Sequence, residues 1–288
     1  MWLFMLAPAF KLKKSMKKKL CAALIFLVLM TFACRKGAKL DPKKEAANLV
    51  IETAEPVLSG NSTRINAIVP GYYVALPTLY DSTSKYYPLL ISLHGGGQFG
   101  NGTTDLPLIL KEGVPKLVAE GKFPPSFTVG GQNFSFVIVA PQFSSYSYTP
   151  DINAVIEFAK KNYRIDASRV YMTGLSMGAT ETWNFAVDYP KSVTAMSLMS
   201  GVPTAANSFA AKVAASGIPL WAFHNDKDSL FSIDTVKLLV ARIDAFKPKI
   251  PPILTLGVGG HDSWTAATDP AYKENNMNIY EWMLQYKK

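Results

Sequence analysis

Apolar residues along the chain fall into short runs separated by longer stretches with helical spacing. Residues 71–77 (GYYVALP) and 86–97 (YYPLLISLHGGG) read as strands joined by a turn at YDSTSK. The run FSFVIVAPQF at 134–143 is a third strand candidate, interrupted near its end by Pro141. RVYMTG (169–174), SVTAMSLMSG (192–201), IPLWAFHN (218–225) and PPILTLGVGG (251–260) are further candidates for strands. Between them lie helical patterns. In 149–165, Thr149 can cap, Pro150 suits the first turn, and Ile152, Val155, Ile156 and Ala159 share a face. Residues 179–190 form a second helix stopped by Pro190, 232–246 an amphipathic third with Ser232 as cap, and 276–288 a last one.

Strands alternating with helices imply a mostly parallel central sheet of about eight strands, covered by helices on both faces. Ligands bind such sheets beyond the carboxyl ends of the strands. Four loops fall there and carry chemistry: HGGGQFG (94–100), GLSMG (174–178), HNDKDS (224–229) and GGHDSW (259–264).

A serine hydroxyl is a weak nucleophile at neutral pH. It needs a base to take its proton, a carboxylate to orient that base, and donors for the oxyanion. Ser176 stands between Gly174 and Gly178 where a strand turns into a helix, the form of a nucleophile elbow. The helix that follows points its positive end at the serine. The chain has three histidines. His94 opens the glycine loop, a place for a structural hydrogen bond, and His224 precedes both candidate acids. His261 follows them, in the order serine, acid, histidine that this sheet topology requires. Asp188, Asp234 and Asp244 sit on helices and read as solvated charges, whereas Asp226 and Asp228 follow a strand. Spacing alone does not choose between those two. Asp262, adjacent to the base, points away from it on an extended loop. The backbone N–H of Met177 and one from the HGGG loop complete an oxyanion site.

With these segments assembled, the chain resembles α/β-hydrolase esterases of the polyhydroxybutyrate-depolymerase-like group, and more narrowly the carbohydrate esterases that include feruloyl and acetylxylan esterases. The resemblance spans roughly residues 70–285 and rests on YYPLLISLHGGG, VIVAPQF, RVYMTGLSMGAT, HNDKDSLF and GHDSWTAA…IYEWML. It implies the α/β-hydrolase fold and hydrolysis of carboxylic esters through an acyl-enzyme, on acyl or feruloyl groups of polysaccharide. That family carries H-G-x-x-D before the histidine loop, and its last residue matches Asp228; Asn225 replaces the glycine, a mild change if a left-handed backbone is needed there. The resemblance makes Gly96 the oxyanion donor and Gly97 the reserve; Gln98 and Trp264, beside the loaded loops in sequence, are candidate substrate contacts. Trp183 and Trp221 read as packing. The alternatives are a serine peptidase of the same fold, or an inactive relative that only binds.

Only VPTAANSFAAKVAASG (202–217) separates the last strands where a lid often enters, so no large lid is expected, and residues 98–133 are left to wall one side. With no HExxH, no cysteine pair and no nucleotide fingerprint, the sequence calls for neither metal nor cofactor.

The formal charge of +9 invites a nucleic-acid reading until it is located. Residues 1–47 hold eleven Lys/Arg against two Asp/Glu, and the remainder holds nineteen of each. The body is neutral, which excludes a nucleic-acid partner. Those basic residues flank CAALIFLVLMTFA (21–33), an apolar stretch of signal-peptide length, and Met16 makes a better beginning than Met1. The junction TFAC resembles a bacterial lipoprotein signal with Cys34 as the lipidated residue, although Thr31 stands where Leu is usual and Phe32 is bulky. The expected organisation is a signal segment at 1–33, a polar tether at 34–47 and a catalytic domain at 48–288, exported to the bacterial cell envelope and held to the membrane only by a lipid, or else secreted. With Cys21 and Cys34 alone, the domain itself can form no disulfide.

Overall fold

The computed structural model describes residues 51–288. The signal-like stretch, the tether and Cys34 lie outside the described residues.

One sheet of eight strands organises the domain, in the order β1 (Val57–Asn61), β2 (Gly71–Leu76), β6 (Val137–Gln142), β3 (Tyr87–Leu93), β7 (Ile165–Leu175), β8 (Ala195–Met199), β9 (Leu220–Asn225) and β10 (Ile253–Gly257). The first two pairings, β1 with β2 and β2 with β6, are antiparallel; the other five are parallel. A separate two-stranded hairpin joins β4 (Phe127–Val129) to β5 (Gln132–Phe134). The fold is that of the α/β-hydrolases, with a mostly parallel sheet and no closed barrel.

The pleat divides each central strand between two cores. Leu89, Ile91 and Leu93 of β3 face one layer while Leu90 faces the other, and β9 alternates likewise, Leu220 and Ala222 against Trp221 and Phe223. On the first face lie α2 (Thr149–Asn162), α3 (Met177–Asp188), α4 (Asn207–Ser216) and α5 (Ile233–Ala245); on the second, α1 (Gly113–Ala119), α6 (Trp264–Thr268) and α7 (Ile279–Leu284). Central strands buried on both faces explain their near-continuous apolar runs.

Several elements had no apolar signature. Strand β1, VLSGN, is an edge strand with mostly exposed side chains. Helix α1 begins at Gly113 and carries Pro115, a composition that reads as a loop. Helix α4 occupies the segment between β8 and β9 and packs on α3 and α5 instead of covering the site. Thr149 is the first residue of α2 and not its cap: its hydroxyl donates to Asp188 Oδ2 at 2.7 Å, while Asp151 Oδ2 accepts from Tyr148 N–H at 3.0 Å. Ser232 does cap α5, accepting from Asp234 N–H at 3.2 Å.

Candidate active site

Strand β7 ends in a turn that puts Ser176 at φ 53°, ψ −116°, outside the regions a side chain normally occupies. Its neighbours make that conformation possible. A Cβ on Gly174 would sit 2.3 Å from Gly178 O, and one on Gly178 would sit 2.5 Å from Leu93 O. The elbow is pinned by Ser176 N–H donating to Met199 O on β8 at 2.8 Å, while Ser176 O accepts from Ala179 and Thr180 N–H at 3.0 and 3.1 Å. Met177 opens α3, so its N–H has no acceptor within the helix.

The imidazole of His261 bridges two partners. Its Nε2 lies 2.8 Å from Ser176 Oγ and its Nδ1 2.8 Å from Asp228 Oδ2. A carboxylate only accepts, so Nδ1 carries the hydrogen and Nε2 is free to accept from the serine. Phe231 stacks on the ring at 5.7 Å, and Trp264 meets it edge-on at 5.1 Å.

Asp228 has a fully buried side chain. Burial alone would raise its carboxyl, but the hydrogen bonds from His261, Phe231 N–H and Leu230 N–H outweigh it and hold the group below the ordinary carboxylate value. The two backbone donors reach Oδ1 at 3.0 and 2.9 Å, which leaves Oδ2 for the imidazole. Asp226, which spacing could not exclude, instead accepts from Gly259 N–H at 3.0 Å.

The glycine loop is fastened from below. Buried His94 accepts from Phe143 N–H through Nε2 at 2.9 Å and donates through Nδ1 to Gly95 O at 2.7 Å. Burial is the larger influence on its pKa, lowering it to about 4 against the opposing bond to Gly95, so the ring is neutral. Gly96 and Gly97 open the short turn Gly96–Gln98, and a Cβ on either would meet nothing within 4 Å. Their amides open that turn and so have no acceptor within it.

Two expectations for substrate contact need correction. Gln98 is buried and its amide is spent on the loop: Oε1 accepts from Gly95 N–H at 2.9 Å and Nε2 donates to Leu108 O at 3.3 Å. Trp264 is only 6% exposed and belongs to the core, where its ring meets His261 edge-on. Trp183 and Trp221 are core residues, as their strand and helix positions suggested.

Three further residues have places around the site that the sequence does not give. His224, excluded as the base, lies behind the acid with Nε2 2.8 Å from Phe231 O and 3.3 Å from Asp228 Oδ2. Asn225 is extended, at the end of β9, so no left-handed backbone is needed there. Glu112, just before α1, is partly buried; burial and the charge of Asp262 raise its carboxyl while His261 opposes them. Nothing in a single sequence distinguishes that glutamate from surface acids. Among the described residues, no group of three or more His, Cys, Asp or Glu side chains could hold a metal ion.

The model of the Esterase family matches residues 70–278, most of the chain and all four loops. The chain belongs to that family. Its sheet has the α/β-hydrolase fold, which the solved structures below share. Among curated proteins it is similar to the bifunctional acetylxylan esterase/xylanase of Neocallimastix patriciarum, 29% identical over 111 residues. That match takes in 35% of this chain and only 16% of the relative's length. Among solved structures, a thermostable esterase superposes with a TM-score of 0.55 at 21% identity, over 81% of this chain and 64% of that one. The feruloyl esterase module of Clostridium thermocellum, solved with sinapinate, gives a TM-score of 0.51 at 16% identity over 75% of this chain and 84% of the module. At such identities the esterase likeness in structure is one of fold.

Proposed function

We propose that this Esterase-family protein is a carboxylic ester hydrolase that acts through Ser176, His261 and Asp228 by way of an acyl-enzyme, on acyl or feruloyl esters carried by polysaccharide. The single observation that supports the mechanism is the unbroken chain of contacts, Ser176 Oγ to His261 Nε2 and His261 Nδ1 to Asp228 Oδ2, each at 2.8 Å. Ser176 Oγ attacks the ester carbonyl while His261 Nε2 takes its proton. The new oxyanion accepts from Met177 N–H and Gly96 N–H, with Gly97 as the alternative donor. His261 returns the proton to the departing alcohol, and Asp228 stabilises the imidazolium without taking the proton itself. Water, deprotonated by the same nitrogen, then attacks the acyl carbonyl; the bond to Ser176 Oγ breaks, the serine takes the proton back from His261, and the acid leaves.

The substrate class rests on the acetylxylan esterase relative and on a fold shared with feruloyl esterases. The leader supports export with lipidation at Cys34, and radiolabelled palmitate incorporated by the parent but not by Cys34→Ala would establish it.

The test of the mechanism is hydrolysis of p-nitrophenyl acetate, methyl ferulate and acetylated xylan by the protein and by Ser176→Ala. Turnover lost in the variant, with fluorophosphonate labelling of the parent at Ser176, supports the triad. Equal turnover by both would end it. Preference for the polymer or the ferulate separates the two acyl classes, and hydrolysis of neither removes the polysaccharide assignment while leaving the esterase.

A further inference from the structure

The loops bearing Asp228 and His261 are laced together. Asp226 N–H donates to Gly257 O at 3.0 Å and Lys227 N–H to Gly259 O at 2.9 Å, while Gly259 N–H donates to Asp226 Oδ1 at 3.0 Å. Two more bonds come from one side chain. Asn225 Nδ2 donates to Gly260 O at 3.0 Å and to Asp262 O at 2.9 Å. These are the carbonyls on either side of His261, so both amide hydrogens are spent bracketing the base. Asn225 is buried at 8% exposure and stands three residues before Asp228 on the same continuous stretch of chain.

We propose that Asn225 is a positioning residue for the catalytic imidazole, fixing the His261 backbone relative to the strand that delivers Asp228. The inference rests on the triad reading above. The segment it holds includes Gly257, Gly259 and Gly260, with Gly259 at φ +149°, so the backbone there has wide freedom unless something restrains it. The imidazole must satisfy Ser176 and Asp228 at once, and a displacement of about 1 Å can cost on the order of a hundredfold in rate. The clamp holds the residue before and the residue after the one whose placement matters most.

Gly257 reports on the clamp independently. A Cβ there would lie 2.2 Å from Asn225 Oδ1, and Gly257 is not among the residues with positive φ. Its backbone therefore accepts alanine, but the Asn225 amide must rotate out of the way. Gly257→Ala thus disturbs the clamp without touching Ser176, Asp228 or His261.

The experiment compares the protein with Asn225→Gly, Gly257→Ala and the double variant on p-nitrophenyl acetate, with thermal melts to establish folding. Each single variant is expected to lose about tenfold or more in kcat with KM changed less than about twofold. Because both act on one contact, the double variant should be no slower than the slower single one. Fluorophosphonate labelling of Ser176 should slow in parallel. A folded Asn225→Gly with parental kcat overturns the proposal, as do losses that multiply in the double variant. If Asn225→Gly does not fold, Gly257→Ala decides by the same criterion. Failure of the triad reading shows elsewhere, as Ser176→Ala with parental turnover, and would remove this inference with it.

Discussion

Gly201 lies directly behind Ser176, so close that a Cβ on it would fall 2.2 Å from the serine carbonyl oxygen and 2.8 Å from Ala179 Cβ. Gly201, two residues beyond β8, therefore forms the back wall of the elbow. Neither contact is with the far end of a flexible side chain. Gly201→Ala must push the elbow forward, costing about 1–3 kcal/mol as overpacking does. Urea denaturation should register that loss, and fluorophosphonate labelling of Ser176 should slow. Unchanged stability and labelling would mean that the wall gives way freely.

Gln98 separates a brace from a substrate contact. In Gln98→Ala the buried Gly95 N–H loses its acceptor, a cost of roughly 1–3 kcal/mol in the loop that carries the oxyanion donors. Hydrolysis of small and bulky esters should fall by a common factor. A loss confined to one acyl group or one alcohol would return Gln98 to the substrate.

The sheet was legible because its central strands are apolar on both sides, and the chemistry was legible because three of the loaded loops lie at the ends of such strands and the fourth follows the edge strand β10. What stayed hidden was of two kinds. Strand β1 and helices α1 and α4 draw their stability from the surfaces they cover, so their own sequences carry little signal. Asp226 and Asp228 lie two residues apart on one loop, and only the pairing of that loop with 257–260 sends the first to Gly259 N–H and the second to His261. Asn225 was read for its backbone when its side chain is what reaches the histidine loop. Gln98 and Trp264 were read as contacts from proximity in sequence, which says nothing of which way a side chain turns.

His94 ties stability to pH. Its ring is held neutral at about 4, below the ordinary imidazole value of 6.5. As pH falls below 6.5 the unfolded chain takes up a proton that the folded chain refuses until about 4, so stability is complete above 6.5 and drains away across that window. The full effect is roughly 3 kcal/mol. Urea midpoints measured between these limits should fall for the parent. They should fall less for His94→Gln, which cannot charge. Parallel curves for the two proteins would show that the acid sensitivity resides elsewhere.

Asp228→Asn should be far more damaging than its size suggests, and the reason lies in the partners of Oδ1. That oxygen accepts from Leu230 and Phe231 N–H, so an asparagine must keep its carbonyl there and turn its NH2 toward His261. The imidazole then has to accept at Nδ1, which puts its hydrogen on Nε2, facing Ser176. In that tautomer it cannot take the serine proton. A fall in kcat of three to four orders of magnitude, about what the loss of the orienting acid costs in such triads, is the expected result. Asp226→Asn is the control. Its side-chain carbonyl can still accept from Gly259 N–H, so activity should stay within about threefold of the parent. Steady-state hydrolysis of p-nitrophenyl acetate by the two variants reads both outcomes, and a larger loss at Asp226 would reverse the assignment of the acid.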